Sequence, residues 1–446
     1  MANTYLSRTF STPTNGKKFT FSAWMKRSSI SGDQAFFSTA TGTPITTFRW
    51  NSDNKIYLFQ IVGSSMVWEF ATNALYRDIN GWYHLVIAFD STESSAGDRL
   101  KLWINGEQVT SWSTQVNPAL DMTPTMNTAI RHDVANNRDG NYFNGSMSYV
   151  AFVDGTAELP TIFGETDSVT GQWKIKTDIT PSVAWGTNGF LILKNGNSLT
   201  DESTNTNNFT LGGGTLTNTE DNPSNVFVTL NNLDNDNLGG GFAYGNTYIS
   251  GQASESRKYY CGLTLGMMGD GKYYFEGQLN VNNQGVLGVC NLDASDNPTY
   301  LRQQNTFPGR YSSSWGYDFT DGYKFNNNNK TAYGSGTSWT ANDYFSFALD
   351  NTNGKMYIAK NGSWVNSGNP TNGTGGIDYS AIGDNNMFIV SDNNGAGYNK
   401  FFFNFGNGYF GTTAVASAGT NASGIGIFEY DVPTGYTALS TKGLNL

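Results

Sequence analysis

Histidine and cysteine are nearly absent from this chain: His84, His132, Cys261 and Cys290 are all that its 446 residues contain. Zinc sites built on imidazoles, thiolate chemistry and Ser-His-Asp triads therefore have almost nothing to work with. Two cysteines are too few for a disulfide framework and are read as buried free thiols, which leans towards a reducing compartment. Long apolar runs are missing too. The Leu85 to Phe89 stretch is among the longest, far below the ~20 residues that span a bilayer. The start, Met1-Ala-Asn-Thr-Tyr-Leu-Ser-Arg, has no basic-then-apolar pattern, so neither a signal peptide nor membrane insertion is expected. Charge is sparse, at 14% of residues against a typical ~25%. With 26 Lys and Arg against 36 Asp and Glu the net charge is −10, the wrong sign for a phosphate-binding surface, so nucleic acid is not expected as a partner.

What is plentiful is glycine (52), phenylalanine (29) and tyrosine (24), among many Asn and Thr, the composition of strands and tight turns. Stretches such as Phe19-Thr-Phe-Ser-Ala-Trp-Met-Lys and Lys272-Tyr-Tyr-Phe-Glu-Gly-Gln-Leu alternate with period two, and no long period-3.6 stripe occurs. The expected fold class is all-β: two antiparallel β-sandwich, jelly-roll-like domains, one over 1–170 and one over 226–446, joined by a packed connector at 171–225. That connector mixes aromatic anchors, Trp173 and Trp185, with polar loops and Gly212-Gly-Gly. One pattern recurs in both halves. Tyr83 to Asp90 followed by Arg99 to Asn105-Gly106 is echoed by Tyr344 to Asp350 followed by Lys355 to Asn361-Gly362. Asn-Gly tolerates positive φ and suits a type I′ turn.

Site chemistry is weighed on the same residues. Paired carboxylates on one strand are the pattern of a glycan-cleaving cleft. The nearest approach, Glu429-Tyr-Asp431-Val-Pro-Thr434, has Thr where the acid belongs and Pro inside the strand, so it reads as a surface strand and no catalytic residue is assigned. Asp234-Asn-Asp236-Asn-Leu-Gly239 offers oxygen ligands, but Gly245 stands where a calcium loop needs its bidentate acid. Asp90, Asp98 and Asp133 are not selected by spacing either, and no metal or cofactor is assigned. His84 is read as a packed strand histidine, His132 as part of a polar loop, and Asn326 to Lys330 as a solvated tip. Apolar faces of sugars stack on exposed indoles, which makes Trp112, Trp339 and Trp364, beside polar turn residues, the candidate ligand-binding residues. Trp24, Trp82 and Trp103 lie within strands.

Motif order also carries resemblances. Phe19-Thr-Phe-Ser-Ala-Trp-Met, Trp82-Tyr-His-Leu-Val, Leu102-Trp-Ile-Asn-Gly-Glu-Gln-Val and Phe143-Asn-Gly-Ser-Met-Ser-Tyr-Val-Ala-Phe resemble the laminin-G-like members of the concanavalin A-like lectin/glucanase sandwiches. The second half, with Gly271-Lys-Tyr-Tyr-Phe-Glu, Gly285-Val-Leu-Gly-Val, Trp315-Gly-Tyr, Asn353-Gly-Lys-Met-Tyr-Ile and Phe403-Asn-Phe-Gly, resembles SPRY (B30.2-type) domains, which implies partner binding through loops and no catalysis. The whole order, ending in Pro433-Thr-Gly-Tyr-Thr-Ala-Leu-Ser-Thr, is similar to appendage or tail-fibre proteins of marine tailed bacteriophages. That resemblance implies a non-enzymatic virion protein, assembled in the host cytoplasm, whose partners are other tail or capsid proteins and a host-surface glycan or protein. A capsid decoration or head-fibre protein and a cellular lectin-like adhesin are the alternatives. Several sandwich edges with few charges to blunt them lead to an expected homo-oligomer, with a trimer favoured.

Overall fold

The computed structural model describes residues 3–39, 42–79, 81–137, 139–194, 196–235, 241–250, 259–267, 269–281, 285–294, 307–334, 337–392 and 400–445. They are built from strands and three-residue 3₁₀ turns, with no α-helix among the described residues. Contacts divide the chain into two compact units, 1–218 with 222–224 and 219–221 with 225–446.

The first unit is a sandwich. Its eight-stranded sheet runs in the order Trp112–Val116, Ser65–Thr72, Ile56–Val62, Ile45–Trp50, Gln34–Thr39, Arg131–Val134, Tyr5–Thr9, Thr210–Gly213. The six-stranded sheet runs Phe190–Ile192, Gly145–Asp154, Lys18–Arg27, Tyr83–Asp90, Leu100–Ile104, Glu107–Gln108. Alternation explains the core. Phe19, Phe21, Ala23 and Met25 face inward with Leu85, Ile87 and Phe89 of the neighbouring strand, and meet Phe37, Phe48, Leu58 and Trp68 of the opposite sheet. Phe21 stacks on Phe37 with centroids 4.7 Å apart. Each such ring taken out of water stabilises the unit by roughly 2–3 kcal/mol.

The outer face of the six-stranded sheet is also covered. Val86, Ala88, Trp103, Ala151 and Val153 pack beneath Phe163, Ile179, Val183 and Trp185. The expected connector is thereby corrected: most of 171–225 is part of the first unit. Phe190–Ile192 and Thr210–Gly213 are edge strands of its two sheets. Asn188 exchanges hydrogen bonds with both backbone groups of Ser11. Aromatic anchors between polar loops mark a chain that folds onto an apolar sheet face, and such a face was present to receive it.

The second unit is a sandwich of the same kind. One sheet of seven strands is centred on Asn386–Asp392 and Gly285–Asn291, and a nine-stranded sheet on Lys272–Val281, Tyr344–Asp350 and Lys355–Lys360. Leu287, Val289, Phe388 and Val390 meet Phe275, Phe347, Ile358 and Phe403 between them. The outer face of the nine-stranded sheet, at Tyr274, Ala348 and Tyr357, is roofed by Phe428, Val432 and Tyr436. Among the described strands pairing is antiparallel except at Thr437–Ala438, which lies parallel to Tyr273 and Tyr274, and an isolated bridge joins Asn407 and Ile427 in parallel.

Candidate functional site

The three tryptophans do not converge. Trp112 is a half-buried residue at the edge of the eight-stranded sheet, its ring edge-on to Phe70 at 5.0 Å. Trp364 is half-buried against Tyr357, with centroids 6.4 Å apart. Trp339 is 2% exposed, which corrects its reading as a ligand-contacting indole. Its Nε1 donates to Tyr317 Oη at 3.1 Å, and its ring packs on Phe319 at 4.7 Å. Its polar neighbours Ser338 and Thr340 are exposed, whereas Trp339 between them, in the loop before Tyr344, is buried in the core.

Neither histidine is arranged for catalysis. His84 is buried and stacks on Trp24 at 4.6 Å. Its Nδ1 accepts the indole proton of Trp173 at 2.9 Å, and Trp has only a donor to offer. The ring proton therefore sits on Nε2, which donates to Ser22 Oγ at 2.9 Å. That is the opposite of the tautomer a base needs to deprotonate Ser22, and burial lowers the imidazole to about 3. His132 lies in the strand Arg131–Val134, not in a polar loop. It faces inward and stacks on Phe10 at 3.7 Å, because alternate strand positions separate it from Arg131 and Asp133.

Glu429 lies in a bend and Asp431 in irregular chain, neither in a strand, and both are engaged. Glu429 accepts the Ala416 N–H, and Asp431 accepts the N–H and hydroxyl of Thr420. Both cysteines are buried and free, and burial pushes their thiols up. Asp234 is in the strand Leu230–Asn235, whereas Asp236 lies outside the described residues. No group of three His, Cys, Asp or Glu able to hold a metal occurs among the described residues. The Asn326 to Lys330 tip is a two-residue turn, with φ of 48° at Asn327 and 59° at Asn328.

A groove of about 510 Å³ opens on the first unit, lined by the turn at Gly42, Thr43 and Pro44, by Gln60 and Val62 of one strand, and by Thr123–Thr125, Thr128 and Ile130. That volume is in the range of small-molecule sites. Among the described residues no ionisable side chain lines it. At its wall Gln60, 4% exposed, accepts three bonds on Oε1, from Trp68 Nε1 at 3.2 Å, Thr46 Oγ1 at 3.2 Å and the Thr125 N–H at 3.0 Å. Sequence reasoning passed Gln60 by, although a signal was there. In Ile56-Tyr-Leu-Phe-Gln60 the inward positions read Ile, Leu, Gln, and one amide interrupts an apolar face.

Residues 2–162 match the family described as the concanavalin A-like lectin/glucanases superfamily. The first unit therefore has a lectin-like fold. No curated protein matches the chain. Among solved structures, the SPRY domain of human HERC1 is similar at 14% identity and a TM-score of 0.29, over 39% of this chain and 96% of that one. A Bacteroides ovatus protein described as a candidate carbohydrate binder is similar at 14% identity and a TM-score of 0.32, over 48% of this chain and 58% of that one. The heptameric SAP-like pentraxin of Limulus polyphemus is similar at 15% identity and a TM-score of 0.25, over 35% of this chain and 71% of that one.

Proposed function

We propose that this chain is a non-catalytic binding protein that attaches to a glycan or protein on a cell surface, and that it does so as a structural appendage of a bacteriophage virion. The observation that carries the binding reading is the groove of about 510 Å³ without an ionisable side chain, on a unit with a lectin-like fold. Such a lining positions a ligand and has no group to move a proton. The neutral, wrongly protonated His84 and the engaged Glu429 and Asp431 support the absence of catalysis. The SPRY-like phrases of the second half and the phage-like order of motifs support the virion role, with tail fibre ahead of head decoration and of a cellular adhesin. A homo-oligomer, a trimer in the favoured case, is part of the proposal. The outermost strands of the eight-stranded sheet, Trp112–Val116 at one end and Thr210–Gly213 at the other, carry the exposed Val116 and Leu211, two edges that further copies would cover.

Antibody labelling of virions in negative stain tests the placement. Gold on fibres is expected. Gold on the shell moves the chain to the head, and unlabelled virions with label on the cell envelope replace the virion reading with the adhesin. Light scattering that returns one chain at every concentration removes the oligomer. Reducing-sugar release from bacterial polysaccharides by the purified chain would overturn the non-catalytic reading.

A further inference from the structure

The groove contains one side chain whose hydrogen bonding is half complete. Trp68 Nε1 and the Thr125 N–H can only donate, so the atom of Gln60 that faces them is its oxygen, and the amide cannot be flipped. The nitrogen is then fixed on the other side. Gln60 Nε2 has no protein partner among the described residues, yet it is not one of the buried atoms sealed from solvent. The side chain is 4% exposed and lines the groove, so what little it shows is shown there. Two N–H donors on a fixed amide are thus offered to whatever enters. Thr128, also in the lining, gives its hydroxyl proton to the Thr125 carbonyl at 2.6 Å, which leaves its oxygen lone pairs as acceptors. The apolar part of the lining comes from Pro44, Val62, Pro124 and Ile130, and Thr43 and Thr123 add further uncharged polar groups.

From this lining we propose that the groove is a subsite for an uncharged, hydroxyl-bearing ring, a neutral pyranose in size and chemistry, with Gln60 Nε2 as the donor that reads its acceptor oxygen. The proposal rests on the binding reading above and names where on the first unit it happens and what is bound. A hydroxyl is both donor and acceptor, which matches a wall that offers a fixed donor and a fixed acceptor. The C–H face of such a ring covers Pro44, Val62 and Ile130. A carboxylate, sulfate or ammonium group would leave water without a counter-charge in the groove, and the cost of that transfer excludes it. The acceptor oxygen can belong to a ring hydroxyl or to an acetamido carbonyl, and the two sources separate experimentally.

The test is ligand-observed NMR on the purified full-length chain at pH 8, with D-glucose, D-galactose, D-mannose, N-acetyl-D-glucosamine and D-glucuronate as probes. At least one neutral sugar should bind with millimolar affinity. Val62→Arg, at an exposed position that fills the groove, should weaken it by about tenfold or more. Gln60→Glu keeps the acceptor for Trp68 and Thr125 and replaces the donor with an oxygen, and it should weaken binding by a similar factor. Val169→Ala, at an exposed position outside the groove, should leave it unchanged. N-acetyl-D-glucosamine bound more tightly than D-glucose assigns the acetamido carbonyl as the acceptor, and equal binding assigns a ring hydroxyl; both support the proposal. Sugar binding that survives Val62→Arg overturns the groove. Loss in Val62→Arg with no effect of Gln60→Glu overturns the role of the amide, and preference for D-glucuronate overturns the neutral class. If no probe binds, the subsite is wrong, and attachment of the labelled chain to whole cells then decides separately whether the broader binding reading stands.

Discussion

In the first unit the turn Asn105-Gly106 lies beneath the indole of Trp173, so close that a Cβ on Gly106 would sit 2.4 Å from the ring. In the second the turn Asn361-Gly362 lies beneath Tyr430, and a Cβ on Gly362 would sit 2.7 Å away. Both aromatic residues come from the segment that roofs the outer face of a sheet, and the rings they approach, His84 and Tyr344, occupy matching places, each 6.0 Å away. The fastening differs. Trp173 is held by a bond between neutral groups, to His84. The second roof is held by Glu276, a buried carboxylate that accepts the N–H groups of Glu429 and Tyr430, both at 2.8 Å, and the Tyr274 hydroxyl at 2.9 Å. One scaffold thus carries two clamps of opposite response to protons.

The largest expected effect follows from that opposition. Burial pushes Glu276 from 4.5 up to about 7, against the pull of its N–H donors. A folded-state pKa raised above the unfolded one gives stability that is complete below pH 4.5 and is lost as pH rises through about 7, on the order of 3 kcal/mol. His84 and His132 are lowered from 6.5 to about 3 by burial. Their contribution is complete above pH 6.5 and is lost as pH falls, on the order of 5 kcal/mol for each imidazole over its full span. Lowering the pH from 7 to 4.5 should therefore loosen the first unit and tighten the second. Hydrogen exchange of the full chain, corrected for intrinsic rates, reads this in peptides covering 83–87 and 273–278. Parallel changes in both would break the comparison.

Replacing each clamp sharpens it. Glu276→Gln turns one oxygen into an N–H group that faces a backbone N–H, and should cost about 3 kcal/mol. Exchange at 427–431 should rise, and the pH response of the second unit should disappear. Trp173→Ala should cost about 2 kcal/mol, less than a fully buried indole because the ring is half-exposed. Its effect should appear as faster exchange at 164–175 and an upward shift of His84 in an NMR titration. An unmoved His84 would mean that the indole does not shield it.

How much of this was legible follows from which signals are local. Alternation in Phe19 to Met25 and in Tyr273 to Leu279 marked the inward faces, and Asn-Gly marked both turns, because pleat and turn geometry are properties of neighbouring residues. The roofs were not legible. A strand buried on both sides, such as Lys18–Arg27, keeps Ser22 and Trp24 on its second face, and nothing local says that residues far along the chain will cover them. The same gap turned a roof into an expected connector, and left Trp339 an exposed indole by its neighbours and a core residue by its position. Gln60 is the intermediate case: its place in the alternation marked it as unusual, and only the fold shows which end of the amide is free.

The smallest effect tests whether the two hairpins are equivalent in energy as well as in shape. Asn105 and Asn361 take φ of 50° and 46°, in the left-handed region that Asn tolerates better than other residues with a Cβ. Each also closes its hairpin with its side chain, Asn105 Oδ1 accepting the His84 N–H and Asn361 Oδ1 the Tyr344 N–H, both at 2.8 Å. Alanine at either site loses that bond and keeps the positive φ without local compensation, so Asn105→Ala and Asn361→Ala should each cost about 1–2 kcal/mol. Glycine should recover part of the loss, because it removes the backbone strain and not the missing acceptor. Urea denaturation followed by exchange at 83–87 and 344–348 measures both in one chain. Costs that agree within a few tenths of a kcal/mol would make the hairpin a unit whose energy is set locally. A large excess at Asn105 would mean that Trp173 and His84 depend on the turn beneath them in a way that Tyr430 and Tyr344 do not.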